Sequence, residues 1–360
     1  MNDNSTQVKG ISWPEGIDAL IVSKPTNRRY LSGFTGSSGI LLLTASGAKV
    51  LITDFRYIEQ AQAQSPTFQI FPQSLEITQT IKEFIDAYDL KKIGVEKDYV
   101  TVGTFKEYCD KIPDINFIPI INPCEGLRQV KSAQELELIK KAIDIADKTF
   151  LHIKSIIELG MTEKEIAMEI DFSMRRLGSE RNAFETIVAS GIRSSLPHGT
   201  PSDKAICSGD FVTMDFGAVF GGYCSDITRT LIMERLDPPQ EKLYNLVKQA
   251  QETAIKSIQP GMIAADVDKV ARDIIARAGY GDAFGHGLGH GVGLDIHEEP
   301  RFSPRDKTIL EPGMVITVEP GIYLQGWGGL RIEDMIVVTA KGCEVLTKSP
   351  KNIQDMTITH

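Results

Sequence analysis

GDFVTMDFGAVFGGYCSDIT, residues 209–228, is the stretch on which the reading of this chain turns. Two short runs of apolar and β-branched residues predict two strands of a hairpin folded back at Phe220-Gly221. Asp215 and Asp226 are then equidistant from the turn, so an even-length loop makes them direct cross-strand partners. Opposed residues share a face with Cβ atoms about 5 Å apart, and two carboxylates there repel by roughly 3 kcal/mol at an effective dielectric near 20. A shared proton, a basic side chain or a cation would offset that repulsion. Taken alone, the hairpin also fits two solvated acids on an edge strand. Phe-Gly is moreover a poor two-residue turn, and a bulge could shift the register.

Working outward, the same pattern recurs. GDFVTMDFG (209–217) matches GMVITVEPG (313–321) position by position and aligns Asp215 with Glu319. CSDIT stands in its half where RIEDM stands in the other, aligning Asp226 with Glu333. GMTEKEI (160–166) and GMIAADV (261–267) each open a helix that ends near a glycine. Short, many-fold repeats make solenoids. Two long copies instead predict two similar halves about a pseudo-two-fold axis, each bringing two acids to the shared seam. Capping boxes at Ser132/Glu135 and Thr162/Glu165 open two helices ahead of the first copy.

Three of the six histidines fall in FGHGLGHGVGLDIHEEP (284–300), as His286, His290 and His297. Glycines between them let the backbone approach a site closely. Glu319 ends the apolar run MVITV, and Glu333 lies in the strand-like GLRIEDMIVV, so both are expected to be partly buried. An unpaired carboxylate there is costly. Four carboxylates with one imidazole form a hard, oxygen-rich set, unlike the closed Cys/His set of structural zinc. Such a set suits two divalent cations about 3.5–4 Å apart. Mn²⁺, Co²⁺, Zn²⁺ and Fe²⁺ all fit it.

The rest of the chain sets the context. A net charge of −9 argues against a general nucleic-acid surface, and no apolar run reaches the roughly 18 residues that a membrane span needs. MNDNSTQVKG lacks the basic and apolar regions of a signal peptide, and the five scattered cysteines include no CxxC. These features together imply a cytoplasmic protein with reduced thiols. IDALIV (17–22), GILLLT (39–44), KVLIT (49–53) and KKIGV read as strands, and RYIEQAQAQ and ITQTIKEFIDAY as helices. That makes a small N-terminal α/β domain over residues 1–124, with a second domain over 125–360. GFTGSSG (33–39) lacks the Lys-Ser/Thr ending of a phosphate loop and reads as a turn.

Asp215-x10-Asp226, His290, Glu319 and Glu333 resemble the five metal ligands of the dinuclear pita-bread metallopeptidases, the superfamily of methionine aminopeptidase, aminopeptidase P, prolidase and the non-metal relative creatinase. The resemblance selects His290 over His286, because the family's ligand stands seven residues before the HEEP-type histidine, here His297. FETIVASGIRSSLPHGTPS (184–202), GYCSDITRT and GLRIEDM look like the proline-specific branch, Xaa-Pro dipeptidase and aminopeptidase P. The resemblance spans about Asp18 to Thr347. It implies an α/β (α+β) architecture: a creatinase-like N-terminal domain followed by a duplicated pita-bread catalytic domain.

By the same resemblance, two divalent ions per subunit, Mn²⁺ foremost, would activate water for attack on the carbonyl carbon before proline. Glu319 would shuttle the proton to the leaving nitrogen, which carries no hydrogen of its own in an Xaa-Pro bond. His198 and His297 would contact substrate and steady the tetrahedral intermediate, and His286 would stand near the substrate entrance. Arg301 is a candidate for a substrate carboxylate, against a solvated arginine. Arg331 can pair with a ligand carboxylate or form a surface salt bridge. Thr228 can bond a bridging ligand across the hairpin or serve only as a strand former. The resemblance also implies a homodimer acting on small proline-containing peptides, with Xaa-Pro dipeptidase set ahead of Xaa-Pro aminopeptidase. A non-catalytic binding module of the same fold and a metal-free paired-carboxylate hydrolase are the competing readings.

Overall fold

The computed structural model describes residues 10–359 except Ser12 and Asn122. The chain divides into two compact units, Met1–Arg128 and Gln129–His360. This division falls between Arg128 and Gln129. The reason is local: Tyr30 donates its hydroxyl hydrogen to Leu127 O at 2.9 Å, and Arg128 Nη1 donates to Asn27 Oδ1 at 2.8 Å. Both bonds tie the short helix Glu125–Gln129 to the first unit.

In the first unit β1 (Ala19–Val22), β2 (Ile40–Thr44) and β3 (Lys49–Thr53) form an antiparallel meander. β4 (Gln69–Pro72), β5 (Lys92–Glu96) and β6 (Asn116–Ile120) join it in parallel, giving the order β4-β3-β2-β1-β5-β6. The central strands are unbroken apolar runs, as a sheet covered on both faces requires. Ile81, Phe84, Ile85 and Tyr108 from helices Ile77–Ala87 and Val102–Lys111 pack on Leu42, Val50, Ile93 and Val95. β4 and β6, absent from the sequence reading, are the two sheet edges; each contains a proline and is largely exposed.

The second unit repeats one plan. Helices Ala133–Ile156 and Glu163–Arg176 precede β7 (Ile187–Ser190), β8 (Phe211–Phe216), the ribbon β9 (Val219–Phe220) and β10 (Tyr223–Cys224), and β11 (Ile227–Met233). Helices Pro238–Ser257 and Ala264–Arg277 then precede β12 (Gly289–Gly291), β13 (Glu298–Phe302), β14 (Val315–Val318), the ribbon β15 (Gly321–Leu324) and β16 (Gly328–Arg331), β17 (Asp334–Thr339) and β18 (Gly342–Val345). With β19 (Thr357–Ile358) the sheets read β19-β11-β8-β7 and β13-β12-β14-β17-β18. The triplets β11-β8-β7 and β17-β14-β12 are equivalent, with a ribbon inserted at the same point of each half. Both expected capping boxes are present, at Ser132/Glu135 and Thr162/Glu165.

The hairpin register differs from the sequence expectation. Its turn is Gly221-Gly222, with φ of +57° and +82°, a left-handed pair that only glycines adopt without strain and that suits a two-residue hairpin. Tyr223 therefore faces Phe220, and Thr228, not Asp226, faces Asp215. Asp226 sits in the two-residue link between β10 and β11. Likewise Glu333 is not inside a strand but in the link between β16 and β17.

Strand alternation then assigns the faces. Val212, Met214 and Phe216 of β8, Ile316 and Val318 of β14, and Ile336 and Val338 of β17 all enter one core with Phe150, Ile170, Val247 and Ala271 of the helices. Residues of opposite parity on β8 and β14, Asp215 and Thr317, are left to the other face, and Glu319 follows directly on β14. On the helix side lies a buried ionic knot. Arg229 Nη2 donates to Asp334 Oδ1 at 2.7 Å and to Ser349 O at 2.9 Å, and Arg229 Nε to Pro350 O at 3.0 Å. Gln251 and Lys351 donate to the other Asp334 oxygen. Burial opposes charge on Asp334, but Arg229 and Lys351 outweigh it and hold its carboxyl below the ordinary range.

Candidate metal centre

Asp215, Glu333, His290 and Glu319 are each held by a neighbour. Arg331 Nη2 donates to Asp215 Oδ2, and its Nε donates to Thr228 Oγ1 at 2.9 Å. Thr228 in turn donates to Glu333 Oε2 at 2.7 Å, so its bond crosses to the other half of the unit rather than across its own hairpin. Thr317 Oγ1 accepts from His290 N at 3.0 Å and donates to Glu319 Oε1 at 3.3 Å. Gly289 shows why glycine flanks His290: a Cβ there would lie 1.9 Å from Thr317 O.

Asp215, Asp226 and Glu333 each present a carboxylate oxygen within 4.8 Å of the others. His290 Nε2 stands 3.6 Å from Asp226 Oδ2 and 3.4 Å from Glu319 Oε1. Asp226 belongs to both groups, so the five side chains form one ring. Asp226 and Glu333 are only 5% and 1% exposed. Burial first, then mutual repulsion, pushes both carboxyls far above their ordinary range. Burial and Asp215 push Glu319 up to about 7 against the pull of Arg331. A single guanidinium does not balance four carboxylates.

Two further observations fit a bound cation. His290 Nδ1 lies 3.1 Å from Gly291 O and must donate to it. Burial pushes the ring's pKa down to about 3, so Nε2 carries a lone pair, aimed at two carboxylates. A cation between them, or a proton held by one of the carboxyls, relieves that arrangement. In addition, Asp215 Oδ1 and Glu333 Oε1 are buried and, among the described residues, have no hydrogen-bond partner. Such hard, anionic oxygens with one imidazole are the donor set of a divalent metal site.

The ring floors a cleft of about 1520 Å³ lined by His198, His286, His297, Arg301 and Tyr323. The His297 ring stands edge-to-face on His290 at 4.4 Å between centroids. His198 and Arg301 are exposed at the walls, Arg301 with Glu299 3.5 Å away. His286 turns inward: Nδ1 donates to Gly287 O at 2.7 Å, and burial drives its pKa down to about 4, so Nε2 accepts from the Tyr323 hydroxyl at 3.1 Å. Tyr323 in turn accepts from Arg331 Nη1 at 2.7 Å.

Sequence reasoning passed over Thr317, Tyr323 and Glu163. Glu163, fully buried, accepts from Ser190 N and Oγ at 2.7 and 2.8 Å, from Ser202 N and Oγ at 3.0 and 2.7 Å, and from Arg193 Nε at 3.0 Å. It closes the loop that carries His198. Thr317 sits two residues before Glu319 on one strand parity, a signal that could have found it.

A model of the metallopeptidase family M24 matches residues 137–340, and a model of the creatinase/prolidase N-terminal domain matches residues 14–130. The chain belongs to metallopeptidase family M24. It is 45% identical over 338 residues, 94% of this chain and 96% of the other, to a protein of Bacillus subtilis (strain 168) described as an uncharacterized peptidase. It overlays on the structure of an Xaa-Pro dipeptidase from Bacillus anthracis with a TM-score of 0.95 and 41% identity over 99% of both chains. It overlays on an X-Pro aminopeptidase from Thermotoga maritima with a TM-score of 0.88 and 40% identity, over 95% of this chain and 98% of that one. The M24 chain is thus a metal-dependent hydrolase of peptide bonds that uses divalent cations, with a mixed α/β fold. Among the described residues no helix is long and apolar enough to cross a membrane.

Proposed function

We propose that this M24 peptidase is a cytoplasmic Xaa-Pro dipeptidase working with two divalent cations, Mn²⁺ foremost. The observation that carries the reading is the ring of four carboxylates and a neutral imidazole lone pair beneath an open cleft. The fuller overlap with the Bacillus anthracis dipeptidase than with the Thermotoga maritima aminopeptidase supports the choice of substrate.

Asp215, Asp226, His290, Glu319 and Glu333 would hold the cations. When bound, divalent cations supply Lewis acidity that makes water nucleophilic at neutral pH and polarises the scissile carbonyl. Glu319 takes the proton from the attacking water at Oε2 or Oε1 and returns it to the leaving nitrogen, which in an Xaa-Pro bond must gain one to depart. His297 and His198 hold the carbonyl oxygen as it gains charge. Arg301 at the rim offers a guanidinium to the C-terminal carboxylate of proline. His286 acts through Tyr323, fixing its hydroxyl against Arg331.

A second reading, Xaa-Pro aminopeptidase, is favoured by the volume of the cleft, about 1520 Å³, which exceeds the roughly 300–1,000 Å³ usual for a small ligand. Parallel assays of Ala-Pro and Ala-Pro-Pro-Ala, with and without added Mn²⁺, decide between them. Cleavage of the dipeptide alone is expected; comparable turnover of the tetrapeptide rules out a strict dipeptidase. A homodimer is part of the proposal, and a monomer in sedimentation at micromolar concentration would remove it. Small peptides, not nucleic acid or lipid, are the partners in keeping with the net charge of −9.

A further inference from the structure

The cleft wall beyond the metal ligands carries an acid with no task so far. Lys164, Ala167, Met168 and Asp171 recur at helical spacing on the helix Glu163–Arg176 and line the cleft. Asp171 Oδ1 accepts from Thr186 Oγ1 at 2.6 Å and from Asn182 Nδ2 at 2.7 Å. Among the described residues its Oδ2 accepts no bond and no cation pairs with it. Lys164 on the same stripe is held by both oxygens of Asp203 at 3.0 Å, and stands two turns away, about 10 Å.

Thr186 precedes Ile187, whose cross-strand partner on β8 is Asp215. Asp171, Thr186, Ile187 and Asp215 all line the one cleft. Phe184, Ile187 and Met168 line the same cleft with apolar surface. A lysine or arginine side chain has the matching profile: an apolar stem ending in a cation.

We infer that this wall is the subsite for the residue before proline and that Asp171 makes it select a basic side chain. The inference rests on the Xaa-Pro reading. The bonds from Thr186 and Asn182 fix the carboxylate without neutralising it, so one oxygen is preorganised for an incoming charge. Apolar residues at that position use the wall but not the acid.

The experiment compares kcat/KM for Lys-Pro, Leu-Pro and Glu-Pro with the Mn²⁺-loaded wild type, Asp171→Asn and Asp171→Lys. The Lys-Pro to Leu-Pro ratio falls about tenfold in Asp171→Asn, as expected for loss of one charge-assisted bond, and Asp171→Lys turns the preference toward Glu-Pro. Calorimetric binding of the non-hydrolysable analogues of Lys-Pro and Leu-Pro, with a CH₂–N linkage, gives the same ordering without turnover. Ratios unmoved by both substitutions, in turnover and in binding, overturn the inference. A wild type that cleaves no dipeptide, yet binds the lysine analogue in an Asp171-dependent manner, would remove the Xaa-Pro reading and leave this subsite standing.

Discussion

Thr228 and Glu333 come from opposite halves of the duplicated unit and meet in one hydrogen bond of 2.7 Å. The same threonine oxygen accepts from Arg331, which also grips Asp215. One hydroxyl thus orients ligands on both sides of the seam. Replacing it should loosen the metal without removing a ligand. Thr228→Ala is expected to lower Mn²⁺ affinity about 10- to 100-fold, the usual effect of losing such a supporting bond, and Thr228→Ser to restore most of it. Calorimetric titration of metal-free protein reads this directly.

Glu163 makes the fold pH-sensitive in a defined direction. Its burial favours the neutral form, but the bonds from Ser202 and Ser190 outweigh that and lower its pKa below the ordinary 4.5. A carboxyl depressed in the folded state contributes stability that is present above its unfolded pKa and lost as pH falls through the folded one. Glu163→Gln should therefore cost about 2 kcal/mol at pH 7 and progressively less below the ordinary 4.5. Urea denaturation of both proteins at pH 7 and in acid checks the convergence. A constant difference across that range would contradict the assignment.

Gly289→Ala tests the close packing beside His290. The added carbon would lie 1.9 Å from the Thr317 carbonyl oxygen, a backbone atom that cannot swing aside. The strands must part, at a cost of about 1–3 kcal/mol, and carry the imidazole out of the ring. A lowered thermal midpoint together with a fall in bound metal per chain is expected. A variant of normal metal content would show that β12 and β14 separate without moving His290.

Chelation should act on stability as well as on turnover. Without a cation the four carboxylates oppose one another, so EDTA is expected to abolish peptidase activity and to lower the thermal midpoint. Mn²⁺ at a hundred times its dissociation constant should return about 2.7 kcal/mol. Differential scanning calorimetry with and without metal provides the measurement. Activity that persists in EDTA would favour a hydrolase running on paired carboxylates alone.

Much of this arrangement was legible because the repeat carries its own register. Aligning MVITVEPG with its partner placed Glu319 opposite Asp215 without any structural input, and apolar runs marked the strands beneath them. The hairpin misled because its turn was placed one residue early. With Gly221-Gly222 at the bend, Asp215 passes from Asp226 to Thr228. Tyr323 and Asp171 were invisible for another reason. Each is a lone residue whose partners lie 8 to 37 positions away, at Arg331, Thr186 and His286, so no local spacing announces it. The edge strands β4 and β6 carry proline and little burial, and their pattern fades accordingly.

Arg229 gives the far end of the polypeptide an unexpected duty. Its guanidinium is clasped by the carbonyls of Ser349 and Pro350 and by Asp334, the immediate neighbour of Glu333. The closing segment thereby acts as a rear buttress for a carboxylate it never meets. Trimming after Lys348 would spare every ligand, yet take two carbonyl acceptors from Arg229 and the Lys351 ammonium from Asp334, and so loosen the strand behind Glu333. Shortened versions made for convenience at that terminus should thus be judged by their metal content before their catalytic rates are compared.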